Sequence, residues 1–344
     1  MKVYNLYGIN DLRYEDQPLP TCSSGWAVIK VRAAGICSSD LPRIFTKGTY
    51  HFPTIPGHEF SGEVYMVGDN EYSGLIGKRV GVFPLIPCKK CSQCEKKHYE
   101  MCEHYDYIGS RRNGGFAEYV AVPLWNLVLL PDSMSFVSAA MLEPLSVALH
   151  AIKTGGVRPE SHVAVIGTGM IGISAAQWAG LFGAKQVIVI GRNESKREIV
   201  EKCGITYKSY SEKEDMELFD FVLEAVGSPD AIERAIQMAA PGGTVLLMGN
   251  PSGDIMLQQD VYWRILRKQL TLKGAWNSSY DGINKSDWIE AVRSISNKQI
   301  IVEPLVSHYF SQEELVDGLK LMYEHKEPYC KVMTLWNENN KENA

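Results

Sequence analysis

The sequence has no basic excess: 35 Lys and Arg stand against 40 Asp and Glu, for a net charge of −5. With no surplus to neutralise phosphates, a nucleic-acid role carried by bulk electrostatics is excluded. Long hydrophobic runs are missing too. No apolar stretch approaches the roughly 18 to 20 residues that span a bilayer, so no membrane role is expected. The N-terminal MKVYNLYGINDLRYED lacks the apolar core of a secretion signal, which makes the cytoplasm the expected compartment. Thiols there stay reduced, so the eight cysteines point to metal rather than to disulfides. A last absence is local. IVIGRN ends a β-type run about one βαβ step past a glycine-rich turn, where a dinucleotide-binding unit ordinarily carries an acid; here Gly191 and Arg192 stand instead.

With 344 residues, 45% of them hydrophobic and 22% charged, the chain suits two ordinary globular domains better than one. Residues 1 to about 150 alternate short β-type runs (WAVIKVRAAG, SGEVYMVG, KRVGVF, FAEYVAVP) with Gly- and Pro-rich turns, as a loop-rich β unit does. From the helical AAMLEPLSVALHAIK onward, strands (HVAVIG, QVIVIG, FDFVLEAVG, GGTVLLMG, QLTLKGAW) alternate with helix-length segments. That alternation predicts an α/β fold with a parallel sheet covered by helices. The final NENNKENA is polar and expected to fray.

VAVIGTGMIGISAAQ holds Gly167, Gly169 and Gly172 in G-x-G-x-x-G spacing, with Met170 and Ile171 between the last two. The motif alone is common, but here it follows a strand and opens a helix. In that context the glycines allow a tight turn, close approach of a pyrophosphate and close helix–strand packing. An acid at 191 would accept bonds from the ribose hydroxyls of NAD and repel a 2′-phosphate. Glycine removes that repulsion and opens space, and Arg192 offers a fork of donors, with Lys196 and Arg197 nearby. NADP(H) is therefore expected over NAD(H).

Cys88, Cys91, Cys94 and Cys102 follow C-x2-C-x2-C-x7-C, a set that closes a tetrahedral structural zinc site. An iron–sulfur cluster is the other occupant that such steps suit; the charged, polar intervening residues favour an exposed zinc lobe. Cys22, Cys203 and Cys330 are isolated and read as small buried hydrophobes. Cys37 in AAGICSSD, His58 and Glu59 in PGHEFSG, and Glu143 in LEPLS suit a catalytic zinc with one position left open.

Taken together, G-I-C-x-S-D, G-H-E-x-x-G, the four-cysteine lobe, GGFAEY, the EP dipeptide and GTGMIG occur in one order. Over essentially its whole length the chain resembles the zinc-dependent medium-chain dehydrogenases/reductases. CSSDLPRIF, HFPTIPGHEFSG, YDYIGSRRNGGFAEY and the GxW segment at 274 to 276 look like the sugar-alcohol-phosphate branch of that family. The resemblance implies a GroES-like β-rich catalytic domain over 1–148, completed by 286–344 and carrying the zinc lobe at 85–105. A doubly wound Rossmann domain would occupy 149–285. It implies two zincs per chain, the catalytic one held by Cys37, His58 and either Glu59 or Glu143. Glu rather than a second Cys at 143 hardens the site and favours a polyhydroxy substrate. The expected reaction exchanges a hydride between the nicotinamide and a sugar-alcohol phosphate, giving a ketose phosphate. A free polyol such as sorbitol or xylitol, or L-threonine, is the alternative substrate. Ser39 is the implied first proton acceptor. Pro42 stands where many relatives carry a histidine, so the proton's onward route is open, with His51 as a guess. Arg43, Arg111 and Arg112 are candidates for a substrate phosphate. A homo-oligomer, dimer or tetramer, associating through the Rossmann edge is expected.

Overall fold

The computed structural model describes residues 1–211, 218–251, 253–282 and 286–336; the tail expected to fray lies outside them. The chain divides into two compact units. The first comprises Met1–Glu143, Ser279–Asn297 and Val306–Ala344, the second Pro144–Ser278 and Lys298–Leu305.

The first unit is built on a seven-stranded sheet in the order Val306–Ser311, Lys331–Leu335, Trp26–Ile36, Glu59–Val67, Arg79–Val82, Leu127–Leu129, with Tyr119–Pro123 also paired to the Trp26–Ile36 strand. The central strand, WAVIKVRAAGI, is rich in Val, Ile and Ala, as a strand covered on both faces must be. Ile29, Val31, Phe60, Val64, Phe116 and Trp336 form the core beneath it. Chain ends meet here: Met333 pairs with Gly35 from one side, and Glu59 pairs with Gly35 from the other. A hairpin of Lys2–Gly8 and Asp11–Asp16 precedes the sheet. Its link places Asn10 at φ 63 rather than a glycine, which is why the sequence does not announce it.

The second unit carries six parallel strands: β1 (His162–Ile166), β2 (Gln186–Gly191), β3 (Thr206–Ser209), β4 (Phe219–Glu224), β5 (Ala239–Leu247) and β6 (Thr271–Gly274). Their order is β3-β2-β1-β4-β5-β6, so direction of travel reverses between β1 and β4. Val163 to Ile166 of β1 are all buried, a continuous apolar run that fits a parallel sheet covered on both faces. The helices Met170–Leu181 and Pro229–Met238 pack against it. No helix among the described residues is long and apolar enough to cross a membrane.

Candidate functional site

Register assembles the metal centre in the first unit. The pairing of Gly35 with Glu59 sets Cys37, just past one strand, beside His58 and Glu59 at the start of the next. Donor atoms of Cys37, His58 and Glu59 all lie within 4.8 Å of one another. Glu143 enters from the first turn of the helix Leu142–Gly155. It is buried and accepts from the Tyr107 hydroxyl at 3.3 Å, and the Tyr107 ring lies edge-on to His58. Ser39 Oγ donates to Cys37 Sγ at 3.3 Å and receives Arg43 Nη1 at 2.9 Å.

Two further residues shape the centre, and spacing in the sequence singles out neither. Asp40 is fully buried. One carboxylate oxygen accepts from Cys37 N at 3.0 Å, and the other faces His58 Nδ1 at 3.4 Å. A carboxylate behind a ligating imidazole fixes the ring's orientation and tautomer; the D of GICSSD was the available signal. Lys331 comes from the last strand and reaches Ile36 O at 3.2 Å and Glu59 Oε2 in a short ion pair. Its stem passes over Gly35, where a Cβ would stand 3.4 Å from Lys331 Cδ and 2.5 Å from Glu59 Oε2. Only glycine leaves that path clear.

The electrostatics ask for a dication. Asp40, Glu59 and Glu143 are buried beside the half-buried Cys37 thiol, and among the described residues Lys331 and the half-buried Arg43 pair with them as fixed cations. Burial opposes charge on His58, but Asp40 and Cys37 outweigh it and hold its pKa well above the ordinary value. Burial pushes Glu143 up to about 7, against the pull of His58 and with the push of Glu59. Burial also opposes charge on Lys331, yet Glu59 and Cys37 raise its pKa. A thiolate, an imidazole and carboxylates with a net negative excess fit Zn²⁺.

The sulfurs of Cys88, Cys91, Cys94 and Cys102 also lie within 4.8 Å of one another. Backbone N–H groups of Glu103 and Cys94 draw Cys91 down to about 6, while burial pushes Cys94 up to about 12. All four are free thiols, and the set forms the structural zinc site.

In the second unit, Gly167 takes φ +122, and Gly169 precedes the helix Met170–Leu181 with no side-chain cap. The first N–H groups of that helix, from Met170 and Ile171 on, are left for an anion. A Cβ on Gly172 would strike Gly167 O, so helix and turn close tightly only with glycine there. A pocket lined by Gly167, Thr168, Gly191, Arg192, Lys196 and Val226, among others, adjoins this turn and suits a nicotinamide nucleotide. The expectation of open space at 191 needs correction: a Cβ there would meet Thr168 Cγ2 at 2.5 Å and the Tyr207 ring at 2.8 Å. Gly191 is small because its surroundings are filled. Arg192 stacks 4.7 Å from the Tyr210 ring centroid and pairs with Asp230 at 3.2 Å. Arg197 is committed to Glu194 and to the Tyr207 ring.

The remaining candidates scatter. Arg111 donates to Tyr105 O at 2.7 Å and lies over the Tyr50 and Tyr105 rings. Arg112 forms an exposed pair with Asp106. Both ring nitrogens of His51 are engaged, by Pro53 O, Thr54 Oγ1 and Arg111 O, so the hydrogen-bond chain from Ser39 runs to Arg43 and not to His51.

Residues 23–132 match the alcohol dehydrogenase GroES-like domain, and residues 170–297 match the zinc-binding dehydrogenase family. The chain is 34% identical over 302 residues to galactitol 1-phosphate 5-dehydrogenase of Escherichia coli (strain K12), covering 85% of this chain and 87% of the relative. It is 33% identical over 326 residues to an L-threonine 3-dehydrogenase of Bacillus licheniformis, covering 90% and 91%. The crystal structure of galactitol-1-phosphate dehydrogenase from Escherichia coli superposes with a TM-score of 0.89 at 32% identity, covering 97% of this chain and all of that one.

The buried pair gives the first prediction. Lys331→Met leaves Glu59 buried and unpaired, and is expected to cost about 3–5 kcal/mol in chemical denaturation. Adding Glu59→Gln should recover much of that loss. A single variant as stable as the unaltered protein would show that the pair is not carrying the strand contact.

Proposed function

The chain belongs to the zinc-dependent medium-chain dehydrogenases, and from that premise we propose that it interconverts a sugar-alcohol phosphate of the galactitol 1-phosphate type and its ketose phosphate. The observation that carries the phosphate is Arg43. Both of its side-chain hydrogen bonds, to Ser39 and Asp40, come from Nη1. The other donors of the fork have no acceptor among the described residues, so they remain available to an anion beside the metal centre. Arg111, held by Tyr50 and Tyr105, and Arg112, paired with Asp106, have other duties.

Cys37, His58 and a carboxylate, Glu59 or Glu143, hold the catalytic zinc, while Cys88, Cys91, Cys94 and Cys102 hold the second. When bound, the metal supplies Lewis acidity and the nicotinamide supplies hydride acceptance. Ser39, beside Cys37, accepts the hydrogen bond of the substrate hydroxyl and would take its proton only as its own, now directed at Cys37 Sγ, passes to water. Arg43 bonds the same oxygen and leaves one lone pair of it for that proton. Arginine stays charged in proteins and does not carry the proton onward. Asp40 keeps the His58 ring oriented throughout.

The test is a panel of hexitol and pentitol phosphates, the free polyols and L-threonine, each with NAD and NADP. Bonds to a charged group are worth about 1.5–3 kcal/mol, so phosphorylated substrates should lead free polyols by roughly 10–100-fold in kcat/KM. Turnover of free polyols or threonine alone would overturn the phosphate reading.

NADP(H) is the proposed preference over NAD(H). The Arg192–Asp230 pair is exposed, with side chains 57% and 74% accessible, so a 2′-phosphate displaces Asp230 at little cost. Arg192→Ala should weaken NADP binding by about 10–100-fold and leave NAD nearly unchanged. Equal affinities before and after would mean that the arginine is only a solvated charge.

We further propose a homodimer through the outer edge of β6. All four of its residues are exposed, and Tyr262, Trp263, Leu266 and Trp276 are exposed as well. An open strand edge accompanied by exposed apolar side chains favours pairing with a second copy. Light scattering should report two chains per particle; a monomer would refute the dimer, and four chains would add a second interface.

A further inference from the structure

Glu224 is the last residue of β4 and is fully buried. A carboxylate away from water is costly unless it is hydrogen bonded. Its Oε1 accepts from Val226 N and from Gly227 N, both at 2.7 Å, while its Oε2 has no partner among the described residues. Its backbone carbonyl accepts from Met248 N at 3.0 Å and Gly249 N at 3.1 Å. One residue therefore holds two loops that leave the C-terminal edge of the sheet, one after β4 and one after β5. Register pairs Glu224 with Ile166 at the end of β1. That is the reversal point of the strand order, outside which open α/β sheets bind their ligands.

The loop after β4 has a direct bearing on the nucleotide pocket, because Val226 lines it. Val226 Cγ2 would stand only 3.1 Å from a Cβ on Gly167, so the valine closes against the first glycine of the turn. Little slack exists around it. Gly227 takes φ +82, and a side chain there would strike the backbone of Asn250. A Cβ on Gly249 would strike Gly227 N and approach Glu224 Oε2 at 2.6 Å. One residue further on, Ser228 caps the helix Pro229–Met238 by accepting from Ala231 N. The turn is thus clamped between a helix cap and a buried acid.

We propose that Glu224 is a positioning residue for the nicotinamide nucleotide: its carboxylate fixes the turn from Ala225 to Ser228 so that Val226 completes the pocket wall. It acts through Val226 and not on the reacting atoms. The role requires an acceptor oxygen at that point, and a neutral amide oxygen supplies one. It applies to NAD and NADP alike, since Val226 closes against Gly167 of the turn that both nucleotides use.

The test uses the full-length zinc-loaded protein and isothermal titration with NAD and with NADP, alongside zinc content and thermal unfolding. Glu224→Ala should weaken both nucleotides by about tenfold, equivalent to losing one ordinary hydrogen bond's worth of organisation. Zinc content should not change. Glu224→Gln should stay within about threefold of the unaltered protein, since its amide oxygen accepts the same two bonds. Gly249→Ala, which pushes on the turn from the opposite side, should also weaken both. Native affinity in a folded Glu224→Ala protein would overturn the proposal, as would a Gln variant as impaired as the Ala variant. If Glu224→Ala does not fold, Gly249→Ala decides alone, and unchanged affinity there overturns it. Equal loss for the two nucleotides separates this role from that of Arg192, whose failure would concern NADP only.

Discussion

The metal-binding unit depends on one buried contact, Lys331 reaching Glu59 across Gly35. The partners are 272 residues apart in sequence, yet two strand pairings on either side of Gly35 leave them no other place to meet. Two buried charges repay their desolvation only when well paired, and either one alone is strongly unfavourable. The pair therefore couples the last strand of the chain to the strand that presents His58 and Glu59. The unit has no metal centre of this shape without its C-terminal segment, however complete the N-terminal motifs are.

That coupling also sets the charge of the centre. Lys331 neutralises one carboxylate, and Arg43 faces another at Asp40. Glu143 and the Cys37 thiol have no such ion pair, and burial pushes Glu143 up to about 7 against the pull of His58 and Lys331, which leaves a deficit of positive charge. A dication answers it where an added lysine would not, because a single point of charge has to serve sulfur, nitrogen and oxygen donors at once. Hard oxygen donors alongside one thiolate also move the site toward oxygen-rich substrates. The proposed polyhydroxy substrate and the identity of the buried charges thus rest on one cause.

Much of this was legible in the sequence, where the signal is local. The C-x2-C-x2-C-x7-C run specifies its four sulfurs by spacing alone. Gly167 and Gly172 specify a turn because each answers a demand within six residues, the first through its φ of +122 and the second through its close contact with Gly167 O. Alternating strands and helices after 150 specify a parallel sheet, with HVAVI and QVIVIG as its apolar runs, whereas the short polar strand TYKS carries no such signal. Asp40, Lys331 and Glu224 were not legible in the same way. Each acquires its role from strand register or from burial, and neither is encoded in spacing. Arg43, Arg111 and Arg112 look alike as sequence-level candidates, and only their partners distinguish them: two tyrosine rings hold one, an exposed aspartate pairs with another, and Ser39 engages the third.

At position 191 the proposed NADP preference and the space first expected beside the glycine come apart. A missing acid withdraws the repulsion of a 2′-phosphate, but no gap has opened beside the glycine. Thr168 and Tyr207 occupy the volume a side chain would need, and the Tyr207 hydroxyl donates to Gly191 O at 3.0 Å. Forcing a side chain into a filled site typically costs about 1–3 kcal/mol and displaces its neighbours. A carboxylate at 191 would have to displace Thr168 and Tyr207, whose ring also supports Arg197. In the proposed cofactor reading, packing between β2 and β3 keeps an acid out of 191, and the charge on Arg192 acts on top of that exclusion.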